Sequence, residues 1–251
     1  MTVFHVLIPA RLESSRLPRK ALADLGGRPM VVRAWEQACR AGALSVHVAT
    51  DSEAIAAAVD QHGGRVVQTA REHASGTARL GEAAVRLGFG DDEIVVNVQG
   101  DEPAMPPDCV RQVAALLRDD AEAMIATLWA PMHERAEWLD PNAVKIVTDT
   151  AGRALYFSRA PIPACRDGDW PDQLARRHIG LYAYRVRALK AWSALPESRL
   201  AQSESLEQLQ ALDAGWTITC AEACAPIPPG VDTPADLEAM RRRFAGGSPV
   251  G

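Results

Sequence analysis

The residues able to do chemistry gather in three short segments. The first reads Pro9-Ala10-Arg11-Leu12-Glu13-Ser14-Ser15-Arg16-Leu17-Pro18-Arg19-Lys20, so four cations fall within ten residues. It carries neither a G-x-G-x-x-G dinucleotide fingerprint nor a G-x-x-x-x-G-K-[ST] P-loop. Arg forks and a Lys point charge can hold phosphates without either. The second segment is Asn97-Val98-Gln99-Gly100-Asp101-Glu102-Pro103. A hard cation such as Mg²⁺ takes one or two carboxylates plus phosphate oxygens, and Asp101 is a natural ligand of that kind. The third, Pro229-Gly230-Val231-Asp232-Thr233-Pro234, can bring a second carboxylate, Asp232. Each segment also has a plainer reading: a solvated charged loop, a turn capped by Asp101 with Glu102 in water, and a helix start aided by Asp232. Thr233 already suits the cap there, which leaves Asp232 spare. Two carboxylates from distant segments, facing a loop of cations, form the arrangement that metal-assisted phosphoryl chemistry needs.

Strand ends must position these segments. Residues 3–8 read as a buried first strand ended by Pro9. A helix over 30–39, a strand over 45–50, a helix capped by Asp51 or Ser52, and a strand over 65–69 follow. A helix over 77–87 leads to the strongest strand signal, 94–98, and Pro106-Pro107 open the next helix. This alternation predicts an α/β fold with a mostly parallel, Rossmann-like sheet and helices on both faces. The pattern then changes. Stretches 124–129, 143–148, 154–159 and 178–185 read as strands, and a small antiparallel extension is expected over roughly 123–190. A helix over 206–212, a strand over 216–220 and a last helix begun by Thr233-Pro234 complete a single domain, 1–245. Residues 246–251 read as a flexible tail. Parallel sheets bind ligands beyond the carboxyl ends of their strands. That rule selects the loop after residue 8, the segment after residue 98 and the loop before the last helix.

Composition narrows the partners. The chain has 251 residues, enough for one large core, and 47% are hydrophobic, which excludes general disorder. Its net charge of −5 carries no sequence-wide footprint for nucleic acid or an anionic membrane. Any anionic ligand must therefore meet a local cluster of cations. Five cysteines, an odd number, do not make a disulfide framework, and free thiols in a reducing cytoplasm are expected. The first residues lack a signal-peptide pattern, and no apolar run approaches the ~20 residues of a membrane span.

IPARLESSRLPRKAL, VATDSEAI, HASGTARLGEA, VVNVQGDEP, NAVKIVTD, ALYFSRAPIP, RHIGLYAYR, LEQL and GVDTPADL occur in that order. Together they resemble the 3-deoxy-manno-octulosonate (Kdo) cytidylyltransferases over nearly the whole chain. The S-R-L-P-x-K form favours this branch over the related sialic acid activating enzymes. The resemblance implies a cytoplasmic, homodimeric, Mg²⁺-dependent enzyme that joins CTP and Kdo into CMP-Kdo and pyrophosphate for lipopolysaccharide synthesis. By similarity, Ala10, Arg11, Arg16, Lys20, Ser75 and Gly76 meet CTP, while Asp101 and Asp232 hold the metal. Lys20, Asp101 and Asp232 are the expected catalytic set. Arg79, Gln99, Arg159, His178, Tyr182, Glu207 and Gln208 fall in segments that line the family's sugar pocket.

Two positions depart from the family pattern S-x-L-E-x-x-E-x-L-E-Q-L-R. A Glu is replaced by Ala201 and an Arg by Gln210. If those two pair in relatives, losing both leaves no unmatched charge. If either meets the sugar, an amino-substituted Kdo or another acid sugar becomes the alternative substrate. A sugar-nucleotide-binding or glycosyltransferase-like domain is the alternative from another class.

Overall fold

The computed structural model describes residues 2–14, 17–73, 75–166, 168 and 170–245. Its first half alternates strand and helix: β1 (His5–Ala10), α1 (Met30–Cys39), β2 (Ser45–Thr50), α2 (Glu53–Asp60), β3 (Arg65–Gln68), α3 (Gly76–Arg86), β4 (Ile94–Asn97) and α4 (Pro107–Asp119). The second half is mixed: β5 (Ile125–Pro131), α5 (Arg135–Leu139), β6 (Lys145–Thr148), β7 (Ala154–Ser158), β8 (Arg176–Arg185), α6 (Val186–Ala191), α7 (Arg199–Glu204), α8 (Gln208–Asp213), β9 (Ile218–Glu222) and α9 (Pro234–Ala245).

The main sheet runs β3-β2-β1-β4-β8-β5-β9. Its first four strands are parallel, as are β5 and β9. β8 runs antiparallel between β4 and β5. The α/β class expected from the sequence is the observed one, with a difference in where the antiparallel strands sit. β5 and β8 lie inside the main sheet, and only the β6–β7 hairpin lies off its path. The length of β8 explains this. Its last residues pair with both β4 and β5, while Arg177 near its start pairs with Lys145 of β6.

Alternation along β1 builds two cores, because successive side chains point to opposite faces. Val6 and Ile8 join Val31 of α1, Ile55 of α2 and Val110 of α4. Leu7 joins Leu80 of α3, Leu189 of α6 and Leu209 of α8 on the other side. With helices on both faces, central strands can be apolar throughout. β1 runs on through Pro9 to Ala10 rather than ending at residue 8. Pairing with β4 stops at Leu7, so beyond it β1 is paired on one side, where a missing N–H is tolerated.

The strand-end loops meet above this sheet. The amide of Val231 donates to the carbonyl of Asp101 at 2.9 Å. A Cβ on Gly100 would lie 3.2 Å from the carbonyl oxygen of Pro9, so glycine lets the loops after β1 and β4 approach closely. α3 starts at a cap in which Ser75 Oγ accepts from the amide of Ala78. α9 starts at a reciprocal pair: Asp236 N donates to Thr233 Oγ1, and Asp236 Oδ2 accepts from Thr233 N. α5, α6 and α7 were not expected; each has five or six residues, too few for an apolar period to declare itself. Among the described residues, no helix is long and apolar enough to cross a membrane.

Candidate active site

Lys20 opens a 3-10 turn, and the preceding Arg19 takes a left-handed backbone, φ 55°. The turn brings the ammonium inward, where it donates to Asp101 Oδ2 at 2.6 Å and to Asp232 Oδ1 at 3.0 Å. Burial by itself would lower the Lys20 pKa. The charge and hydrogen bond of Asp101, and then those of Asp232, outweigh it and hold the pKa above the ordinary lysine value. Lys20 is thus a firmly charged cation between two carboxylates.

A cavity of about 420 Å³ opens beside this pair. Ala10, Arg11, Lys20, Gly76, Arg79, Gln99, Asp101 and Glu207 of the sequence-derived set line it. A second space of about 370 Å³ adjoins it through Arg11 and Arg79 and is bordered by Arg71 and Asp51. Arg79 is 4% exposed and is held from behind by an ion pair with Asp51 Oδ1 at 3.0 Å and a hydrogen bond to Thr69. Such a guanidinium is aimed, not free to wander.

Glu207 forms the acidic wall. Its Oε1 accepts from the Trp192 indole and its Oε2 from the Thr77 hydroxyl, both at 3.1 Å. Thr77 and Asn97 also line the cavity and were not singled out from the sequence. The usable signal for Asn97 was a polar residue closing an all-apolar strand. It is 3% exposed, with Oδ1 left unpartnered.

Other expected site residues lie elsewhere. Arg16 is outside the described residues. Ser75 caps α3 at the cavity's edge without lining it. Arg159, His178, Tyr182 and Gln208 do not line the cavity. Arg159 is engaged with backbone carbonyls of Glu204 and Pro141. His178 lies below, 3.1 Å from Thr127 Oγ1, and burial pushes its pKa down to about 3. Its neighbour Tyr182 is 8% exposed, and burial followed by Tyr184 raises its phenol well above the ordinary value. Ala201 packs against the second core, and Gln210 Nε2 meets the carbonyls of Leu195 and Pro196. Neither departure from the family pattern lines the cavity.

The metal question turns on Asp101 and Asp232. Among the described residues no group of three or more candidate ligands assembles. Two carboxylates nonetheless already share one cation, the Lys20 ammonium. Mg²⁺ takes one or two carboxylates together with phosphate oxygens, so the donor set suits a metal held jointly with a phosphate. Glu102 stands beside them with Oε2 buried and unpartnered. Burial, with Asp101 and Asp232 adding repulsion, pushes its pKa up to about 8.

Comparison with known proteins decides the family. A family model described as cytidylyltransferase matches residues 5–218. The chain belongs to the cytidylyltransferase family. A relative from Leptothrix cholodnii, named 3-deoxy-manno-octulosonate cytidylyltransferase, is 49% identical over 247 residues, covering 96% of this chain and 91% of that one. A solved structure, CMP:2-keto-3-deoxy-manno-octonic acid synthetase complexed with CTP, is 42% identical. It superposes with a TM-score of 0.90 over 98% of this chain and 100% of that chain. A nucleotidyl transferase from Methanothermobacter thermautotroptrophicus, at 17% identity, has a TM-score of 0.62 over 98% of this chain and 99% of its own, and shares the fold.

Proposed function

We propose that this cytidylyltransferase activates Kdo with CTP, giving CMP-Kdo and pyrophosphate for lipopolysaccharide synthesis. One observation carries the reading at the level of residues. Arg11, Lys20 and Asp101 share a single cavity with Arg79, Gln99 and Glu207. Arg11 and Lys20 suit a triphosphate, Asp101 suits a metal held with it, and the second three suit an acid sugar with many hydroxyls. The names of the relatives supply the particular nucleotide and sugar.

In the proposed reaction the anomeric hydroxyl oxygen bonds to the α-phosphorus, the bond to pyrophosphate breaks, and the hydroxyl proton is released. Ala10, Arg11, Arg16, Lys20, Ser75 and Gly76 are assigned to the nucleotide. Arg11 and Lys20 offset the growing negative charge on the phosphates. Arg79, paired with Asp51, is assigned to the sugar carboxylate. Asp101 and Asp232 are assigned to Mg²⁺, which when bound supplies Lewis acidity at phosphate oxygens. The test is pyrophosphate release with CTP, Mg²⁺ and Kdo, beside sialic acid and an amino-substituted Kdo. Folded protein that releases none with Kdo overturns the reading. Loss of release on chelation, restored by Mg²⁺, is expected.

The homodimer is proposed through the β6–β7 side of the molecule. Leu155 on β7 is 59% exposed and Leu139 on α5 is 46% exposed, apolar side chains that a partner could cover. Light scattering should give twice the chain mass, and Leu155→Glu should shift it toward one.

A further inference from the structure

Glu207 is held in the cavity by Trp192 and Thr77, but its backbone is aimed from outside. Three residues earlier stands Glu204, the last residue of α7, and between them Ser205 has φ 52°. A side chain at left-handed φ costs roughly 1–2 kcal/mol, and such a conformation persists where its surroundings over-determine it. Ser205 itself is exposed, so its own packing does not do this. Leu206, 6% exposed, anchors the turn in the core, and its amide donates to the Ala201 carbonyl at 3.1 Å, which closes the end of α7 on itself but ties it to nothing outside.

A polar clamp fixes this closed helix end to the neighbouring strand. The Glu204 carboxylate accepts from Ser158 Oγ at 2.5 Å and from the Arg159 amide at 2.8 Å. Arg159 returns the bond: its Nε donates to the Glu204 carbonyl at 2.7 Å and its Nη2 to the Ser205 carbonyl at 3.4 Å. Lys145, 0% exposed, fixes Arg159 in turn by donating to its carbonyl at 2.6 Å and to that of Asp140 at 2.9 Å. The end of β7 and the end of α7 are therefore tied at the one left-handed residue before Glu207.

We infer that Glu204 and Arg159 are positioning residues for Glu207, locking the α7–α8 turn so that this carboxylate faces the substrate. Arg159 thus acts through the turn and not by reaching the cavity. That the substrate on this side is the sugar rests on the function proposed above.

The experiment uses Glu204→Ala, Ser205→Gly and the double variant in the whole protein. The indole N–H resonance of Trp192, assigned with Trp192→Phe, reports the bond to Glu207. In Glu204→Ala it should move toward its position in Glu207→Ala. The KM for Kdo should rise about tenfold while that for CTP stays within about twofold. Glycine adopts the left-handed region without a clamp, so Ser205→Gly should recover much of that loss in the double variant. If Glu204→Ala does not fold, Glu204→Gln, which keeps one accepting oxygen, should show the same pattern at smaller size. A Trp192 resonance unchanged from the parent, or equal rises in both KM values, would overturn the inference. If the parent does not use Kdo, the failing assay marks the function as wrong, and the resonance alone decides the positioning role.

Discussion

Lys20 Nζ lies 2.6 Å from Asp101 Oδ2, although 81 positions separate them in the chain. The same ammonium reaches Asp232, 212 positions away, at 3.0 Å. Their side chains are partly exposed, Asp101 by 33% and Asp232 by 46%, so water screens the pairs and they add little to stability. The arrangement is better explained by chemistry than by folding. Asp101→Asn and Asp232→Asn should each lower pyrophosphate release at least about a hundredfold. The unfolding free energy should change by less than about 1 kcal/mol. A variant with a near-parental rate and an unchanged melt would remove its residue from the site.

Arg79 and Asp51 pose the opposite case. The guanidinium is 4% exposed, and among the described residues Asp51 is the carboxylate that pairs with it, at 3.0 Å. Asp51→Ala should therefore strand a buried cation and cost about 3 kcal/mol, read from urea unfolding. Asp51→Asn keeps an accepting oxygen and should cost less. If Asp51→Ala unfolds like the parent, Arg79 is wet enough to be solvated from the cavity.

The parts of this site that a sequence reader can find are the local ones. The cations of residues 11–20 stand in one run, and the apolar strand before Asp101 declares itself by composition. Asp232 was reachable through the rule that ligands bind at strand ends, with one local hint, that Thr233 takes the helix cap and leaves it spare. Asn97 and Thr77 looked like strand-end and helix-start residues, and only the fold turns them toward the cavity. Arg159 shows the converse. Its segment suggested a ligand, but its guanidinium reaches the carbonyls of Pro141 and Glu204, which lie far apart in sequence. Side-chain direction of that kind is a tertiary property. The place of β8 was hidden for the same reason, since register is decided by what pairs on each side.

Gly81 tests the packing that carries Arg79. Alanine at a helix interior is ordinarily favoured over glycine by about 1 kcal/mol. Here the added Cβ would sit 2.6 Å from the carbonyl oxygen of Leu189, on the α6 backbone. α3 and α6 would have to part. Gly81→Ala should be destabilising by about 1–3 kcal/mol, as overpacking is elsewhere. Two residues earlier on the same helix, Arg79 should shift as well and raise the KM for the sugar. A higher melting temperature in Gly81→Ala would show that the helices yield freely.

His178 makes a prediction about acid. Burial lowers its pKa from 6.5 to about 3 in the folded chain. Between those values the unfolded chain binds a proton there and the folded chain does not. Stability rises with pH wherever the unfolded state holds more protons, so this group costs stability as pH falls from 6.5 toward 3 and contributes nothing to the slope above 6.5. The full effect of one proton is about 1.4 kcal/mol per pH unit. His178→Phe loses the bond to Thr127 and should be less stable at neutral pH. Its dependence on pH between about 6.5 and 4 should nevertheless be shallower than the parent's by up to that amount. Urea unfolding at a series of pH values measures both quantities separately. Parallel curves for the two proteins across the window would mean that His178 gains its proton in the folded state as readily as in the unfolded one.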